Sequence, residues 1–267
     1  MNVAFDHTIF CIERYGGISR YFCALIEELL QQGVFPLVFA PFYRSEHLAN
    51  SPTIPVVGSK IPGYPARTAK FFLAAAGWQT RRAICRRRPD VLHRTYYDKL
   101  PRTTGKVPNV ITVYDMIHEL YAEQFQADPM LTVRKRAAVE TSDHVIAISH
   151  STSRDLQELW GIDPAKITVT YLAAHEQPKG LTNGAQHAVD LPKQLRKKPF
   201  VLFVGNREGY KNFSGLLKAL AINQRLRSDF CIAAFGGRPF GLAEIRAISS
   251  LGLDPKNVVH ICGDDAR

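Results

Sequence analysis

The chain has 267 residues, 46% of them hydrophobic and 22% charged, with 34 Lys and Arg against 24 Asp and Glu. These figures describe a globular protein of one large domain or two modest ones, and they exclude a disordered or fibrous chain. The net charge of +10 favours an anionic partner, which leaves phosphorylated small molecules, acidic membrane surfaces and nucleic acid open.

The N-terminal segment has the pattern of a strand, a glycine-containing loop, a helix and a second strand. Residues 1–5 are predicted to form a strand, so we expect no signal peptide and a cytoplasmic protein. Apolar residues between Ile18 and Leu29 recur on one face of a helix, and Gly33 follows as a natural helix end. Because an apolar strand over 34–40 comes next, the sequence predicts a βαβ unit.

Strands and helices continue to alternate as far as residue 171, which predicts a parallel sheet covered by helices. Ser149 precedes an apolar-periodic segment and is expected to cap the helix that begins there. The predicted strands are 91–93, 110–114, 144–148 and 166–171, and the predicted helices are 64–88, 130–141 and 150–160.

A segment rich in glycine, proline and basic residues then interrupts this pattern. We predict a first domain over 1–175, a linker over 176–199 and a second domain over 200–267. The second domain is predicted to contain strands 200–204, 230–234 and 257–261 and helices 212–226 and 242–251. Because that is half of a doubly wound domain, we expect an α/β protein with two Rossmann-like parallel-sheet domains, the second incomplete.

The cysteines and the glycine-rich loops exclude several kinds of site. Five cysteines are scattered without a C-x-x-C pair, so we expect reduced, mostly buried thiols and neither a disulfide framework nor a zinc site. The P-loop motif G-x-x-x-x-G-K-[ST] and the dinucleotide motif G-x-G-x-x-G are both missing from the sequence.

Two strand-to-helix loops contain residues suited to binding an anion. Gly16 and Gly17 precede the first long helix, where bare backbone N–H groups and the positive helix end can approach a phosphate or carboxylate. Arg207 and Lys211 follow strand 200–204, at the sheet edge where open α/β sheets bind ligands, and could neutralise a pyrophosphate. A tight turn without a ligand and solvated loop charges are the structural alternatives.

Four motifs, in their order and spacing, resemble those of the retaining GT-B glycosyltransferases of family 4. They are YGGISR at 15–20, VITVYDMIHE at 110–119, VIAISHSTS at 145–153 and FVGNREGYKN at 203–212. The resemblance implies two Rossmann-like domains, the first binding the acceptor and the second the nucleotide-sugar donor. It places Gly16 and Gly17 beside the donor phosphate or the reacting sugar, and Lys211 and Arg207 on the pyrophosphate.

The resemblance also implies candidates on the acceptor side. Asp115 is expected to position the acceptor, with His118 as a second candidate catalytic residue, and a capping or core role is the alternative for each. His93 and Tyr96 end another strand and could face the cleft, although a structural role is the simpler interpretation. Where many members have His-Asp, this chain has Tyr114 before the aspartate, so no histidine role transfers there.

The function implied is that of a retaining hexosyltransferase in polysaccharide biosynthesis. Sugar would move from a UDP- or GDP-linked donor, a co-substrate, to a saccharide or lipid-linked acceptor, with no metal and no further cofactor. Family members continue to an E-x7-E segment that contacts the donor, and the sequence ends at Arg267 before it, so we expect little transfer by this polypeptide. A GT-B nucleotide-sugar epimerase and a non-catalytic partner subunit are the alternatives.

The apolar and basic segments of the sequence indicate whether the protein contacts a membrane or a nucleic acid. The longest apolar run, 71–78, is far shorter than the ~20 residues that a membrane-spanning helix needs. Arginines follow it, so its helix could lie on the anionic cytoplasmic face of a membrane, although a core-facing helix is the preferred interpretation. The sequence has no basic motif interleaved with aromatic residues, so we expect no nucleic-acid partner.

Overall fold

The computed structural model describes residues 1–97, 107–123, 129–173, 191–208 and 211–261. The chain divides into two compact units, unit 1 (Met1–Ala174) and unit 2 (His175–Arg267). Each unit contains a parallel sheet with helices, which confirms the expected α/β class with two Rossmann-like domains. Most of the predicted linker lies outside the described residues, and its described end includes a short helix, Lys193–Lys197. The limits of that linker therefore stay a prediction.

Unit 1 is built around a seven-stranded parallel sheet. Its strands are β1 (Asn2–Phe5), β2 (Phe35–Tyr43), β3 (Val56–Lys60), β4 (Val91–Arg94), β5 (Asn109–Val113), β6 (His144–Ala147) and β7 (Ile167–Val169). The sheet order is β3-β2-β1-β4-β5-β6-β7. The chain thus runs outward from β1 to β3 and returns to β4 on the other side of β1. Open α/β sheets bind ligands at such a reversal, at the carboxyl ends of the strands.

The helices of unit 1 agree with the predicted ones where the apolar pattern is long. They are α1 (Thr8–Ile12), α2 (Gly17–Gln31), α3 (Glu46–Ala49), α4 (Ala69–Arg87), α5 (Ile117–Leu120), α6 (Pro129–Thr141) and α7 (His150–Trp160). Gly33 has the left-handed φ of 74° that ends α2. The Ser149 hydroxyl accepts a hydrogen bond from the Thr152 N–H at 3.1 Å, which confirms the predicted cap of α7.

Two differences in unit 1 have local causes. Helix α4 begins at Ala69 rather than at residue 64, because Pro65 disfavours helical backbone at the preceding residue and Arg67 has a left-handed φ of 64°. Strand β3 was not among the predicted strands, since its sequence, VVGSK, lacks an alternating apolar pattern and its residues are largely exposed.

Unit 2 has a smaller sheet, with three strands among its described residues. The strands are β8 (Phe200–Val204), β9 (Cys231–Phe235) and β10 (Val258–Ile261), and the helices are α8 (Lys193–Lys197), α9 (Phe213–Ile222), α10 (Gln224–Asp229) and α11 (Leu242–Ser250). The sheet order is β10-β9-β8. The predicted helix 212–226 is two helices, because Asn223 is extended and its side chain accepts the Leu226 N–H at 3.0 Å to begin α10.

Each unit has its own hydrophobic core. In unit 1, Phe5, Phe22 and Ile26 pack together on one part of the sheet, and Ile111 and Leu156 belong to a second cluster. Unit 2 packs α9 and α11 against β9 and β10. No helix within the described ranges combines the length and the apolarity needed to cross a bilayer.

Candidate functional site

The carboxyl ends of β1 and β4 are joined by a buried carboxylate. Asp6 follows β1 and is fully buried, and its Oδ1 accepts hydrogen bonds from the Thr95 hydroxyl at 2.5 Å and from the Thr8 N–H at 2.9 Å. The Thr95 oxygen in turn accepts the Ile9 N–H at 3.1 Å. These bonds fix the first residues after both strands at the point where the sheet order reverses. Unit 1 therefore has a well-ordered floor where the topology predicts a ligand site.

The glycine loop beside this floor contains a carboxylate of the chain itself. Gly16 is the N-cap of α2 and Gly17 its first residue. The Ser19 N–H donates to Glu13 Oε2 at 3.2 Å, so the Glu13 carboxylate lies at the positive end of α2. A Cβ at residue 16 would overlap this carboxylate, whereas one at residue 17 would meet nothing within 4 Å. An external anion must displace Glu13 to reach the Ser19 amide.

A buried lysine joins two carboxylates beyond the end of β5. Lys135, on α6, is only 2% exposed, and its Nζ donates to Glu119 Oε2 at 2.8 Å. The same Nζ lies 3.9 Å from Oδ1 of Asp115, which also accepts the Ile117 N–H at 3.2 Å. The Glu119 side chain is buried, whereas the Asp115 side chain is 46% exposed. Asp115 is therefore the member of this group that a ligand can reach.

Two tyrosines, Tyr96 and Tyr97, lie close enough to the same carboxylates to be affected by their charge. Burial, followed by the negative charges of Glu13, Asp115 and Glu119, raises the pKa of Tyr96 to about 12. Burial also raises the pKa of Tyr97 well above its usual value, and the Tyr97 ring lies 5.5 Å from the Lys135 ammonium. These hydroxyls stay protonated at neutral pH. The group thus combines neutral hydrogen-bond donors with carboxylate acceptors, the functional groups that hydrogen-bond the hydroxyls of an uncharged ligand.

The two candidate histidines lie in different surroundings. His93 lies within β4, its ring 5.1 Å from that of Phe22, and its Nε2 is 2.9 Å from the Thr112 hydroxyl oxygen. Burial lowers the pKa of His93 to about 4, so the imidazole is neutral at physiological pH. This position favours the structural role for His93. His118 lies half-buried on α5, close in sequence to Asp115.

Glu13, Glu119 and Lys135 are not among the predicted site residues, although Glu119 ends the motif at 110–119. Helix α6 contains other cations, and residue type alone does not distinguish Lys135 from them. Its position along the helix does distinguish it, because Lys135 lies three and four residues before the buried Ala138 and Val139 and so on the core-facing side of α6. Helical periodicity therefore provides a signal for a buried lysine, although not for its partner Glu119.

The carboxyl ends of β8 and β9 in unit 2 contain three glycines with left-handed backbone. The φ values are 114° at Gly205, 86° at Gly236 and 70° at Gly237. Any side chain at Gly205 would also overlap the Lys211 ammonium, which lies against its backbone. Lys211 is exposed and forms no ion pair with a carboxylate in the part of unit 2 that the structure describes. The Gly205 and Gly236 N–H groups donate to the carbonyl oxygens of Phe235 and Ile261. The group here that suits a phosphate oxygen is therefore the exposed Lys211 ammonium.

Arg207, the second predicted cation, is buried and engaged within unit 2. Its Nε donates to Glu244 Oε1 at 2.9 Å, and its Nη2 donates to the Arg238 carbonyl oxygen at 2.6 Å. The guanidinium lies 4.3 Å from the centre of the Phe240 ring, and its hydrogen bond holds the pKa of Glu244 below the usual range. The donors that would contact a pyrophosphate are thus bound to the protein. Residues 209–210 of the same loop lie outside the described ranges.

Known families and structures agree with this architecture. The profile of Glycosyltransferase Family 4 matches residues 15–175. No curated protein sequence matches the chain significantly. Sucrose-phosphate synthase from Thermosynechococcus elongatus has a TM-score of 0.70 at 17% identity, covering 99% of this chain and 71% of that chain. The apo form of the lipopolysaccharide outer core galactosyltransferase WaaB has a TM-score of 0.57 at 16% identity, covering 100% and 69%.

An epimerase shares the fold as well. The UDP-GlcNAc 2-epimerase from Neisseria meningitidis, bound to UDP-GlcNAc, has a TM-score of 0.57 at 13% identity, covering 99% of this chain and 73% of that chain. At such low identities these likenesses establish the fold alone. They confirm a GT-B-like fold class for the two Rossmann-like units.

Proposed function

The chain belongs to glycosyltransferase family 4, and on that premise we propose that it takes part in the transfer of a sugar from a nucleoside diphosphate to a hydroxyl group of a saccharide or lipid-linked acceptor. The match of residues 15–175 to the family is the observation that supports this proposal most strongly. We further propose that the sugar is a hexose, that its anomeric configuration is retained and that the product enters polysaccharide biosynthesis. These three points rest on the resemblance of the motifs.

We propose that unit 2 binds the donor diphosphate through Lys211, whose ammonium lies against the Gly205 backbone. In the reaction, the bond between the anomeric carbon and the diphosphate breaks, and negative charge develops on the departing phosphate oxygens. A fixed ammonium beside those oxygens stabilises this charge more in the transition state than in the ground state. Arg207 contributes by holding the loops after β8 and β9 in place, through its bonds to Glu244 and to the Arg238 carbonyl. The donor itself would be UDP- or GDP-linked.

The acceptor is proposed to bind unit 1 beside Asp115. Its exposed carboxylate can accept a hydrogen bond from the acceptor hydroxyl, and the Lys135 ammonium lies 3.9 Å behind it. The acceptor oxygen forms the new bond to the anomeric carbon, and its proton passes to the departing diphosphate oxygen. Tyr96, a neutral donor, and His118 are the further groups proposed to orient the acceptor.

Gly16 and Gly17 are proposed to approach the donor phosphate or the transferred sugar. Because Glu13 accepts the Ser19 N–H of the same loop, its carboxylate competes with an incoming anion. Binding of the donor at this loop therefore requires Glu13 to move away.

Calorimetric titration of the purified protein with UDP and with GDP tests the donor half of this proposal. Lys211→Ala should weaken the binding of the preferred nucleotide by about tenfold or more, since it removes a cation next to the diphosphate. Lys218→Ala is the matched control, because Lys218 is an exposed lysine on α9 of the same unit. Equal affinities for the wild type and Lys211→Ala would contradict the assignment of the donor site.

The epimerase alternative has support from the fold alone, because one of the similar structures is an epimerase. The family match favours the transferase. Incubating the protein with UDP-GlcNAc and no acceptor separates the two, since an epimerase would release an isomerised nucleotide sugar. Stable complex formation without turnover would instead favour the non-catalytic partner subunit.

A further inference from the structure

The positive charge of the protein is concentrated in one segment of unit 1. Residues 47–89 contain eight Lys and Arg and no Asp or Glu, in a chain whose net charge is +10. In the structure this segment forms β3, α4 and the turns around them. Among the described residues, the only carboxylate that pairs with a cation of this segment is Glu46, which binds Lys60 at 2.6 Å. The arginines of α4 therefore present their charge to the surroundings.

Helix α4 has two apolar faces, and only one of them packs against the sheet. Its inner face buries Ala76, Thr80 and Ile84, and the Thr80 hydroxyl donates to the Phe39 carbonyl oxygen of β2 at 3.2 Å. The outer face begins with Phe71 and Trp78, whose side chains are 76% and 63% exposed. Two large aromatic side chains are therefore exposed on the outside of one helix.

The outer face changes from aromatic to cationic along the helix. Phe71, Trp78, Arg82 and Cys85 follow one another at helical spacing on the same side and are all exposed. Arg82 lies over the Trp78 ring, with 5.5 Å between its guanidinium carbon and the ring centre. The outer face of α4 is therefore a single stripe, with an aromatic half toward the N-terminal end of the helix and an arginine half toward its C-terminal end.

A cavity adjoins the arginine half of this stripe. It has a volume of about 410 Å³ and lies between α4 and the edge strand β3. Arg82, Arg86 and Arg87 line it on the helix side, and Phe39 and Val57 provide an apolar floor. Three guanidinium groups around an apolar floor match an amphiphile with a phosphate head better than a free phosphate, which would gain nothing from the floor.

We propose that the outer face of α4, together with this cavity, docks unit 1 onto an anionic lipid surface. Phe71 and Trp78 enter the boundary between headgroups and acyl chains, where amphipathic aromatic rings are favoured. Arg82, Arg86 and Arg87 bind lipid phosphates, one of which occupies the cavity. A nucleic acid is less well matched, because the aromatic side chains precede the arginines instead of alternating with them along a groove.

Binding of the intact chain to lipid vesicles tests this inference. Because the assay contains no nucleotide and no acceptor, its outcome is independent of the proposed transfer. The protein should be retained by vesicles of phosphatidylcholine mixed with an equal share of phosphatidylglycerol and hardly by phosphatidylcholine alone. Arg82→Gln with Arg86→Gln should weaken retention by about an order of magnitude or more, since two charges near an anionic surface are lost. Lys218→Gln with Arg225→Gln, two exposed cations of unit 2, should leave retention unchanged.

Tryptophan fluorescence locates the contact. The protein has two tryptophans, and Trp160 on α7 is half-buried. Anionic vesicles should shift the emission to shorter wavelength in the wild type but not in Trp78→Phe. Phe71→Ser should weaken binding, whereas Ile222→Ser, at an equally exposed apolar residue of α9, should not.

Three results would overturn the inference. Equal retention on neutral and anionic vesicles would remove the role of the arginines. Self-association that Phe71→Ser abolishes, without vesicle binding, would identify a second copy of the chain as the occupant. Retention by single-stranded nucleic acid that outcompetes the anionic vesicles at the same salt concentration would reassign the surface to a nucleic acid. Unchanged thermal midpoints of the variants exclude misfolding as the cause of any loss.

Discussion

The strand ends of the two units have opposite chemistry. In unit 1 they contain the carboxylates of Glu13, Asp115 and Glu119 among tyrosines, with one lysine that is buried behind them. In unit 2 they contain left-handed glycines and the exposed Lys211, whereas Arg207 is turned inward and Arg238 is paired with Glu208. A carboxylate-rich site repels a diphosphate and accepts hydrogen bonds from hydroxyl groups. A cationic site lined by glycines attracts a diphosphate instead. This contrast supports the division into acceptor and donor sites.

Each unit also contains one buried cation that pairs with a glutamate, and the two pairs differ in their supports. Lys135 depends on carboxylates and on the Tyr97 ring. Arg207 additionally binds backbone carbonyl oxygens and covers an aromatic ring. Arginine distributes its donors over several partners, whereas lysine concentrates its charge on one or two. We therefore expect the loss of Lys135 to destabilise the protein more than the loss of Arg207.

Lys135→Met should produce the largest effect, a loss of about 3 to 5 kcal/mol in the free energy of unfolding, because Glu119 is left buried and unpaired. Both tryptophans lie in unit 1, so tryptophan fluorescence during denaturant unfolding measures this loss. Arg136→Met is the control, since Arg136 forms an exposed pair with Glu140 and should cost about 0.5 kcal/mol or less. Adding Glu119→Leu to Lys135→Met should restore part of the stability, and a double variant as unstable as the single one would refute this explanation.

His93 should make unit 1 sensitive to acid. Burial lowers the pKa of His93 to about 4, whereas an unfolded histidine titrates near pH ~6.5. The unfolded chain therefore binds the proton first, so the full stability is present above pH ~6.5 and about 3 kcal/mol is lost as the pH falls toward about 4.

Unfolding free energies measured across this pH range check the prediction. His93→Gln should remove this part of the slope, whereas His150→Gln, at an exposed histidine, should leave it in place. An unchanged slope in His93→Gln would show that another group titrates.

Arg207→Met should cost about 2 kcal/mol, because it removes hydrogen bonds between a charged donor and both Glu244 and a backbone carbonyl oxygen. The loss should appear as faster amide hydrogen exchange in α11, with the tryptophan transition of unit 1 unchanged. Arg238→Met, at an exposed arginine paired with the exposed Glu208, should change little. An equal effect of both substitutions would remove the structural role assigned to Arg207.

The smallest loss of stability is expected when a helix cap is removed, and each unit offers one cap for comparison. Ser149→Ala removes the cap of α7 and should cost about 1 kcal/mol. Asn212→Ala should cost somewhat more, because Asn212 both caps α9 and has a left-handed φ of 53°, which alanine tolerates poorly. Thermal unfolding of the two variants compares them, and a larger loss for Ser149→Ala would contradict this ranking.

Local pattern predicted the fold well wherever elements are long. Strand 200–204 is found with the predicted limits, and the cap at Ser149 is found as expected. Helices of one turn, such as α3 and α5, are too short to show a period. The apolar pattern across Asn223 is continuous, and only the side chain of that residue, which begins a new helix, divides it.

The candidate site was predictable in position but less so in detail. Parallel strands place their carboxyl ends on one edge, so charged residues after β5 and β8 were expected to line ligand sites. The sequence alone does not show that Lys211 is exposed while Arg207 is bound within the protein, because the partner of Arg207, Glu244, is remote along the chain. For the same reason, the motif around Gly16 does not reveal that Glu13 lies on its amides.

Amide hydrogen exchange with and without the tighter-binding nucleotide, UDP or GDP, tests the division of the two sites most directly. We expect the nucleotide to protect the amides around Gly205 and at the start of α9, and we expect Lys211→Ala to abolish this protection. We expect no protection around Asp115 and Glu119 of unit 1. Protection confined to the carboxylate-rich strand ends of unit 1, with none around Gly205, would contradict the assignment of the donor to unit 2.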